Sequence, residues 1–134
     1  MNIVEGINHV LTTFPRNIEV MFYYDADTRQ VISDFFTGDH SNVSPPPGLT
    51  FKDGTRLGSF HTHVLVERFS VVDLKAFFET GEEEMVVYTH NTRRFHVLDI
   101  DTARRVVKSM EESDLEYNEY ALNLAARTSN EVPA

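Results

Sequence analysis

The segment GSFHTHVLVERFSVVDL, residues 58–74, contains two histidines that are separated by one residue, His61 and His63. A carboxylate, Asp73, follows ten residues after the second histidine. Residues 56–63 have the apolar and small residues of a strand, on which side chains two positions apart share a face at about 7 Å separation. Both imidazoles can then reach one ion. The spacing therefore predicts a metal site at the end of a strand.

Ser70 stands directly before a helical pattern over residues 71–80, and Asp73 lies three residues after it. This arrangement is typical of a capping box, in which a serine and an acidic residue cap the start of a helix. If the chain between strand and helix folds back, Asp73 supplies a third ligand. Two neutral imidazoles and one carboxylate make a catalytic type of zinc site, with a fourth position open to water.

Simpler interpretations of these residues remain open. Helix capping alone accounts for Ser70 and Asp73, and a His-x-His pair also occurs on exposed strand faces. The combination of four polar positions goes beyond what capping requires, so we favour metal binding. The chain has no cysteine, which leaves histidines and carboxylates as its only strong metal ligands.

Glu19 interrupts an otherwise apolar run, residues 18–24 (IEVMFYY), that predicts a buried strand. A buried carboxylate is costly unless it has a partner, and a water molecule held at a nearby metal would be one. The alternative is that Glu19 lies at the start of the strand, near Arg16, and reaches bulk water.

The remaining pattern predicts an α+β fold with a mixed sheet flanked by helices. The predicted elements are helix 3–13, strands 18–24, 31–37, 49–51 and 56–63, helix 71–80, strands 85–88 and 95–100, and a helical region over about 102–127.

The sequence also predicts the structure of the connecting segments. The first two strands should form a hairpin, and the proline-stiffened loop 38–48 should border the metal strand and shape a groove. Gly81 should end the second helix, and Asp101 with Thr102 should cap the last helical region, with a break near residues 113–114. We further expect Glu82 to Glu84 to form an acidic turn in solvent and residues 128–134 to form a frayed tail. The histidines His40, His90 and His96 should be surface or structural residues.

Composition limits the classes of function. The 134 residues, 41% hydrophobic and 11% aromatic, suffice for one domain over 1–134 with its core in about 3–112. The formal charge of −9 argues against sequence-independent binding to nucleic acid and favours partners with basic surfaces. No signal-peptide pattern and no apolar run of membrane-spanning length is visible, so we expect a cytoplasmic location without a membrane partner.

These residues resemble the signature of the JAMM metalloproteases, the MPN metalloenzymes. That signature is an upstream glutamate, then His-Ser/Thr-His, then Ser-x-x-Asp, and it is matched by Glu19, His61, Thr62, His63, Ser70 and Asp73. The chain differs from the family in having Val64 where proline is usual, and six rather than seven residues between the second histidine and the serine.

The resemblance implies an MPN/JAMM-like, cytidine-deaminase-like fold and a zinc-dependent hydrolase. His61, His63 and Asp73 would hold Zn²⁺. Glu19 would act as the general base, and Ser70 would stabilise the oxyanion. The implied reaction is cleavage of a peptide or isopeptide bond in a protein or peptide substrate, such as a ubiquitin-like modifier or small carrier protein. A single domain without a fused module is similar to the prokaryotic members.

Two other classes of function stay open at this stage. The chain is alternatively an inactive or metal-poor MPN-type scaffold that mediates protein–protein interaction, although its three ligands speak against this. The site alternatively binds a metal for another hydrolytic reaction, or only structurally. Activity that requires both Glu19 and the metal distinguishes an enzyme from a scaffold.

Overall fold

The histidine-bearing segment forms a central strand, Leu57–His63, and all seven of its residues are buried. The protein is described here by a computed structural model, which covers residues 1–109 and 115–134. The elements in chain order are α1 (Ile3–Thr13), β1 (Val20–Asp25), β2 (Phe36–Thr37), β3 (Leu57–His63), α2 (Val71–Thr80), β4 (Glu84–Thr89), β5 (Arg94–Asp99), α3 (Ile100–Ser109), α4 (Leu115–Ala125) and β6 (Arg127–Ser129). The fold is thus of the α+β class.

The six strands form one mixed sheet in the order β2-β1-β3-β4-β5-β6. Strand β3 pairs antiparallel with β1 and parallel with β4, and the other neighbouring strands are antiparallel. Parallel neighbours cannot be joined by a tight turn, so the chain must cross over the sheet between them. Helix α2 makes this crossover, which brings the helix that begins after Ser70 back to the strand that carries the histidines.

Helix α1 covers one face of the sheet. Its apolar stripe packs against inward-facing residues of the central strands, and the buried residues of this cluster are Ile3, Ile7, Val10, Val20, Phe22, Tyr24, Phe60, Val86, Phe95 and Val97. The side chains of β1 alternate between this face and the opposite one, as the period of a strand requires.

The opposite face is covered in two parts. Over β4 and β5 it packs against α2, α3 and α4, through Phe69, Leu74, Phe77, Met85, Val87, Leu98, Ala103 and Leu122. Over β1 and the start of β3 it is covered by Val43 and Phe51 from the long loop. No helix in the two described stretches combines the length and apolar character needed to cross a bilayer.

The helices 3–13 and 71–80 begin and end where the sequence predicts. Asn2 and Glu5 form a capping box at the start of α1, with both hydrogen bonds at 2.9 Å. Gly81 ends α2 in the left-handed conformation, with φ at 73°, which a glycine adopts without steric cost.

Two predicted strands before β3 are shorter or absent. Phe36–Thr37 of the predicted strand 31–37 pairs with β1 as a strand, and Val31 adds one isolated bridge to Tyr24. Between them the hydroxyl of Ser33 accepts the backbone N–H of Tyr23 at 2.8 Å and interrupts the ladder. The predicted strand 49–51 does not form. Phe51 contacts the ring of Tyr23, at 5.0 Å between centroids, through its side chain rather than by strand pairing.

The C-terminal region also differs from the prediction. Asp99, not Asp101, caps α3, because its carboxylate accepts from the backbone N–H and the hydroxyl of Thr102 at 2.8 and 3.0 Å. The expected break near 113–114 lies outside the described residues. The tail 128–134 is not simply frayed, since Arg127–Ser129 pairs with β5 as an edge strand.

The predicted acidic turn in solvent, Glu82 to Glu84, was wrong. Glu82 is buried against the hydroxyl of Ser59, and Glu84 begins β4. The parallel register places Glu84 next to Gly58, where its carboxylate accepts hydrogen bonds from Tyr24 at 2.5 Å and Arg29 at 2.9 Å. Strand pairing, which a run of three glutamates does not reveal, decides their burial.

Gly58 is required by the ring of Tyr24, which crosses over it to reach Glu84. A Cβ at this position would lie 2.4 Å from the Cε2 and Cζ atoms of the ring. Gly58→Ala should therefore lower the free energy of unfolding by roughly 1–3 kcal/mol, the usual effect of overpacking a core. Urea denaturation of the two proteins measures this difference.

The matched control is the same substitution in a Tyr24→Leu background, where the obstructing ring is gone. The loss caused by Gly58→Ala should then be much smaller, because the two residues are in direct contact and their effects do not add. Equal losses in both backgrounds would contradict the steric explanation.

Candidate metal centre

His61, His63 and Asp73 form a cluster at the C-terminal end of β3. The Nε2 atoms of the two histidines lie 3.0 Å apart. The carboxylate oxygens of Asp73 lie 3.2 Å from Nε2 of His61 and 3.1 Å from Nε2 of His63. Among the described residues this is the one group of three or more His, Cys, Asp or Glu side chains arranged to hold a metal ion. The structure thus brings together the three ligands predicted from the sequence.

The geometry of this cluster would allow a metal ion to be held between its three side chains. Bonds of about 2.0–2.2 Å to a tetrahedral zinc ion place ligand atoms roughly 3.3 Å from one another. The three separations of 3.0, 3.1 and 3.2 Å are close to that value. A metal ion held by these three side chains alone would have a fourth position free.

The orientation of His63 is fixed by its second ring nitrogen. Nδ1 lies 3.0 Å from the carbonyl oxygen of Val66, so it is placed to donate a proton there and leave Nε2 free for a metal. The same carbonyl accepts a hydrogen bond from the hydroxyl of Thr89 at 3.0 Å. The carbonyl that holds the imidazole is therefore itself held in place.

The loop between β3 and α2 is anchored by the next residue, Glu67. Its carboxylate contacts Nε2 of His96 at 2.5 Å and the hydroxyl of Thr92 at 2.6 Å. His96 also contacts the hydroxyl of Thr128 at 3.0 Å. His96, 1% exposed, is thus a structural residue, as expected, and it ties the loop to the sheet.

The electrostatics of the cluster favour a positive charge at its centre. Burial alone would raise the pKa of the Asp73 carboxyl, but contacts with His61 and His63 hold that pKa well below its usual range. Burial lowers the pKa of the His63 imidazole, yet Asp73 and Glu19 outweigh this effect and the pKa is raised. The negative charges of Asp73 and Glu19 therefore stabilise a positive charge between these side chains, whether it is a protonated imidazole or a metal ion.

Ser70 is the N-cap of α2, and the capping interpretation of the Ser-x-x-Asp pattern is confirmed. Its hydroxyl accepts the backbone N–H of Asp73 at 3.1 Å, and the Asp73 carboxylate accepts the backbone N–H of Ser70 at 2.8 Å. Capping and clustering are not exclusive, because the same carboxylate also contacts both histidines. The six-residue connection after His63 is long enough to bring Asp73 to the cluster.

Glu19 lies immediately before β1 and faces the same cavity as the cluster. It stands at the start of the strand, as the alternative had it, but it is only 7% exposed and its side chain lines the cavity. Met21 pairs with His61 across the sheet, which places Glu19 near His63 on the same face. Burial raises the pKa of the Glu19 carboxyl, and the charges of His63 and His61 partly counteract this effect.

Thr62, between the two histidines, has a positioning role that the sequence did not reveal. It points to the opposite face, where its Oγ1 accepts the backbone N–H of Val20 at 3.0 Å. The backbone of Glu19 is held on its other side, donating to Asp39 at 2.7 Å and accepting from Gly38 at 2.8 Å. The start of β1 is thus fixed relative to the cluster.

A cavity of about 530 Å³ opens over the cluster, between α2 and the loop residues 41–45. The predicted role of the loop in shaping a groove is therefore confirmed. The volume of the cavity falls within the range of pockets that bind small molecules or peptide segments. The cavity is lined by the cluster, Glu19 and Ser70, and by Met21, Tyr23, Val43, Val66, Val72, Ala76 and Met85, together with Ser59 and Glu82.

Glu82 and Ser59 are cavity residues that the sequence interpretation missed. Ser59 could have been found from strand periodicity, because it lies two positions before His61 and so shares its face. Glu82 gave no such signal. Burial raises the pKa of Glu82 to about 8, and the charge of Asp73 adds to this, although the hydrogen bond from Ser59 acts in the opposite direction.

The two roles of the Ser-x-x-Asp pattern can be separated by substitution. Ser70→Ala should cost about 1 kcal/mol of stability through the lost cap while zinc stays bound. Asp73→Asn keeps an oxygen for capping but loses the anionic ligand, so its zinc affinity should fall by more than the roughly 10- to 100-fold typical of a lost outer partner. Urea denaturation and zinc titration calorimetry check both expectations. A similar loss of zinc in both variants would contradict this division.

Glu82 should make stability depend on pH in a defined direction. Its folded pKa of about 8 lies above the ordinary carboxyl value of 4.5, so the folded state holds the proton more tightly than the unfolded state. Its contribution to stability is complete below about pH 4.5 and is lost as the pH rises towards 8. Glu82→Gln should therefore gain stability relative to the native sequence, by on the order of 3 kcal/mol between pH 5 and pH 9.

Denaturation of metal-free protein at both pH values measures this gain, with the exposed residue Glu79 as the control position. Glu79→Gln removes a carboxyl of the same charge from an exposed position of α2, so it shows what the change of net charge alone does. A pH-independent difference for Glu82→Gln would contradict the raised pKa.

No protein-family model, no curated protein and no solved structure matches the chain.

Proposed function

We propose that the protein is a zinc-dependent hydrolase of the JAMM type that cleaves a peptide or isopeptide bond. The observation that carries the proposal is the convergence of His61, His63 and Asp73 in one cavity with the buried carboxylate of Glu19. Structural zinc sites are closed by four protein ligands, whereas this cluster offers three and opens into a cavity. An acid–base group beside such a cluster is the arrangement that metal-assisted hydrolysis requires.

The chemistry is divided between the ion and the side chains. When bound, zinc polarises a carbonyl group and lowers the pKa of a water molecule towards about 7. The two histidines and Asp73 hold the ion, and the hydrogen bond from His63 to Val66 keeps one imidazole in the required tautomer. The helix N-terminus beneath Asp73 fixes its carboxylate at the same time.

Glu19 is the general base of the proposed reaction. Its carboxylate accepts a proton from the attacking water and later delivers it to the nitrogen of the leaving amine. A carboxyl whose pKa is raised by burial is better matched to both transfers at neutral pH than an exposed one. The backbone contacts on each side of Glu19 keep it directed at the cavity.

Ser70 is the donor to the developing oxyanion in this proposal. Its oxygen accepts a hydrogen bond from Asp73 within the capping box, so its own proton is free to be donated into the cavity that it lines. Loss of one such donor typically lowers turnover by roughly 10²- to 10³-fold.

The order of the elements and the shape of the cavity support a proposed fold family and a proposed class of substrate. We assign the mixed sheet to the MPN type because a first helix precedes the glutamate, and a crossover helix joins the histidine strand to its parallel neighbour. The cavity between α2 and loop 41–45 suits an extended protein segment, such as the tail of a ubiquitin-like modifier or carrier protein. The scaffold alternative would leave the buried Glu19 and the three-ligand cluster without a use.

Zinc content and turnover test the proposal together. The purified protein should hold one zinc per chain, and His63→Ala and Asp73→Ala should lose it. Glu19→Gln should keep the zinc and reduce hydrolysis of modifier fusions or peptide amides by roughly 10²- to 10⁴-fold, because only the proton transfer is removed. Elemental analysis and rate measurements over a substrate panel check these expectations.

Two results would contradict the proposal. Absence of zinc after reconstitution would support the scaffold alternative. Hydrolysis that persists in Glu19→Gln would remove the general base assigned here. Glu79→Gln, on the exposed face of α2, is the matched control and should retain both zinc and activity.

A further inference from the structure

A second polar group, the Glu82–Ser59 pair, lies in the cavity apart from the metal ligands. Ser59 and His61 are two residues apart on the same face of β3, which separates them by roughly 7 Å. The hydroxyl of Ser59 is hydrogen-bonded to Oε1 of Glu82, and both residues line the cavity. The pair therefore lies about one side-chain length from the cluster.

Glu82 lacks a cationic partner. It is 2% exposed, yet within the described residues its side chain contacts neither lysine, arginine nor histidine. Its side-chain hydrogen bond to the described residues is the one from Ser59. Other carboxylates nearby are compensated, since Asp73 contacts two histidines and Glu84 contacts Arg29 at 2.9 Å. The Ser59 hydroxyl is neutral, so the Glu82 carboxyl faces the cavity without a charge that balances its own.

The surroundings of the pair define the shape of that ligand. Strand pairing places Tyr23 and Met85 on either side of Ser59, and both line the cavity. The walls are thus largely apolar, with a carboxyl group at their base. Lysine and arginine match this combination, because their methylene stems pack on apolar surface while their charged heads seek an anion. Trypsin uses an acidic residue in its specificity pocket for the same purpose.

We propose that Glu82 and Ser59 form a subsite that binds the lysine or arginine side chain of a residue next to the cleaved bond. This deepens the proposed function and rests on it, since the position of the subsite is counted from the metal cluster. Oε2 of Glu82 accepts from the ammonium or guanidinium group, and Ser59 holds the other oxygen in place. The subsite makes the enzyme selective for basic sequences.

The charge of the chain agrees with a cationic ligand. The formal charge of −9 draws basic substrates towards the chain. Burial raises the pKa of Glu82 to about 8, so a cation that enters the subsite at neutral pH must displace the proton held there. A metal is not the ligand, because the described residues place no third metal-binding side chain beside Glu82 and Ser59.

The test measures binding rather than turnover, so that it stands apart from catalysis. Blocked pentapeptides that differ only at the central residue, carrying lysine, arginine, citrulline or norleucine, are titrated by calorimetry into the zinc-loaded Glu19→Gln variant. Lysine and arginine peptides should bind roughly 10- to 100-fold more tightly than the two neutral ones, as expected for a hydrogen bond to a charged group.

Variants of the subsite then locate this preference. Glu82→Gln in the same background should reduce it to less than about threefold, and Ser59→Ala should reduce it in part, because the carboxylate loses its orientation. Glu79→Gln should leave the preference unchanged. Unaltered zinc content in every variant shows that the cluster and the fold are intact.

The outcomes separate this inference from the proposed function. A preference for basic peptides that disappears in Glu82→Gln supports the subsite even if the native protein cleaves none of them. Equal binding of all four peptides, tighter binding of citrulline, or a preference that survives Glu82→Gln overturns the subsite, even if hydrolysis is observed.

Discussion

The carboxylate of Asp73 is the group on which the rest of the site depends. It accepts the backbone N–H of Ser70 at 2.8 Å and also lies within 3.2 Å of both imidazoles. A helix N-terminus and a pair of histidines therefore share one anion, which both favour. This sharing is made possible by the crossover after β3, which sets the first turn of α2 against the end of the strand that it has just left.

Strand periodicity distributes the functions of β3 between its two faces. Ser59, His61 and His63 point into the cavity, whereas Phe60 and Thr62 point to the other side. Phe60 belongs to the core beneath α1, and Thr62 holds the start of the neighbouring strand. A slip of one residue in strand pairing would exchange these faces. The close packing of Phe60 under α1 opposes such a slip and so keeps Ser59, His61 and His63 in the cavity.

Local signals in the sequence were sufficient to predict the cluster of His61, His63 and Asp73 and the bounds of helices α1 and α2. The spacing of His61 and His63 and the Ser70–Asp73 box depend on neighbours within a few residues, so the chain itself records them. The burial of Glu82 and the edge strand Arg127–Ser129 depend on partners distant in sequence, β3 and β5 respectively. Likewise, the sequence does not indicate that the side chain of Ser33, rather than a backbone carbonyl, accepts the N–H of Tyr23 in the predicted hairpin. Long-range pairing decided each of these features.

The three residues of the cluster come from a single short stretch, whereas the contact that fixes the start of β1, from Val20 to Thr62, joins residues 42 positions apart. Closing the short stretch costs less chain entropy than recruiting the distant strand. The cluster and the buried Glu19 accordingly lie on separate pieces of the chain. A substitution at Glu19 would leave the segment that contains the cluster whole, so the two parts of the cavity wall can vary independently of each other.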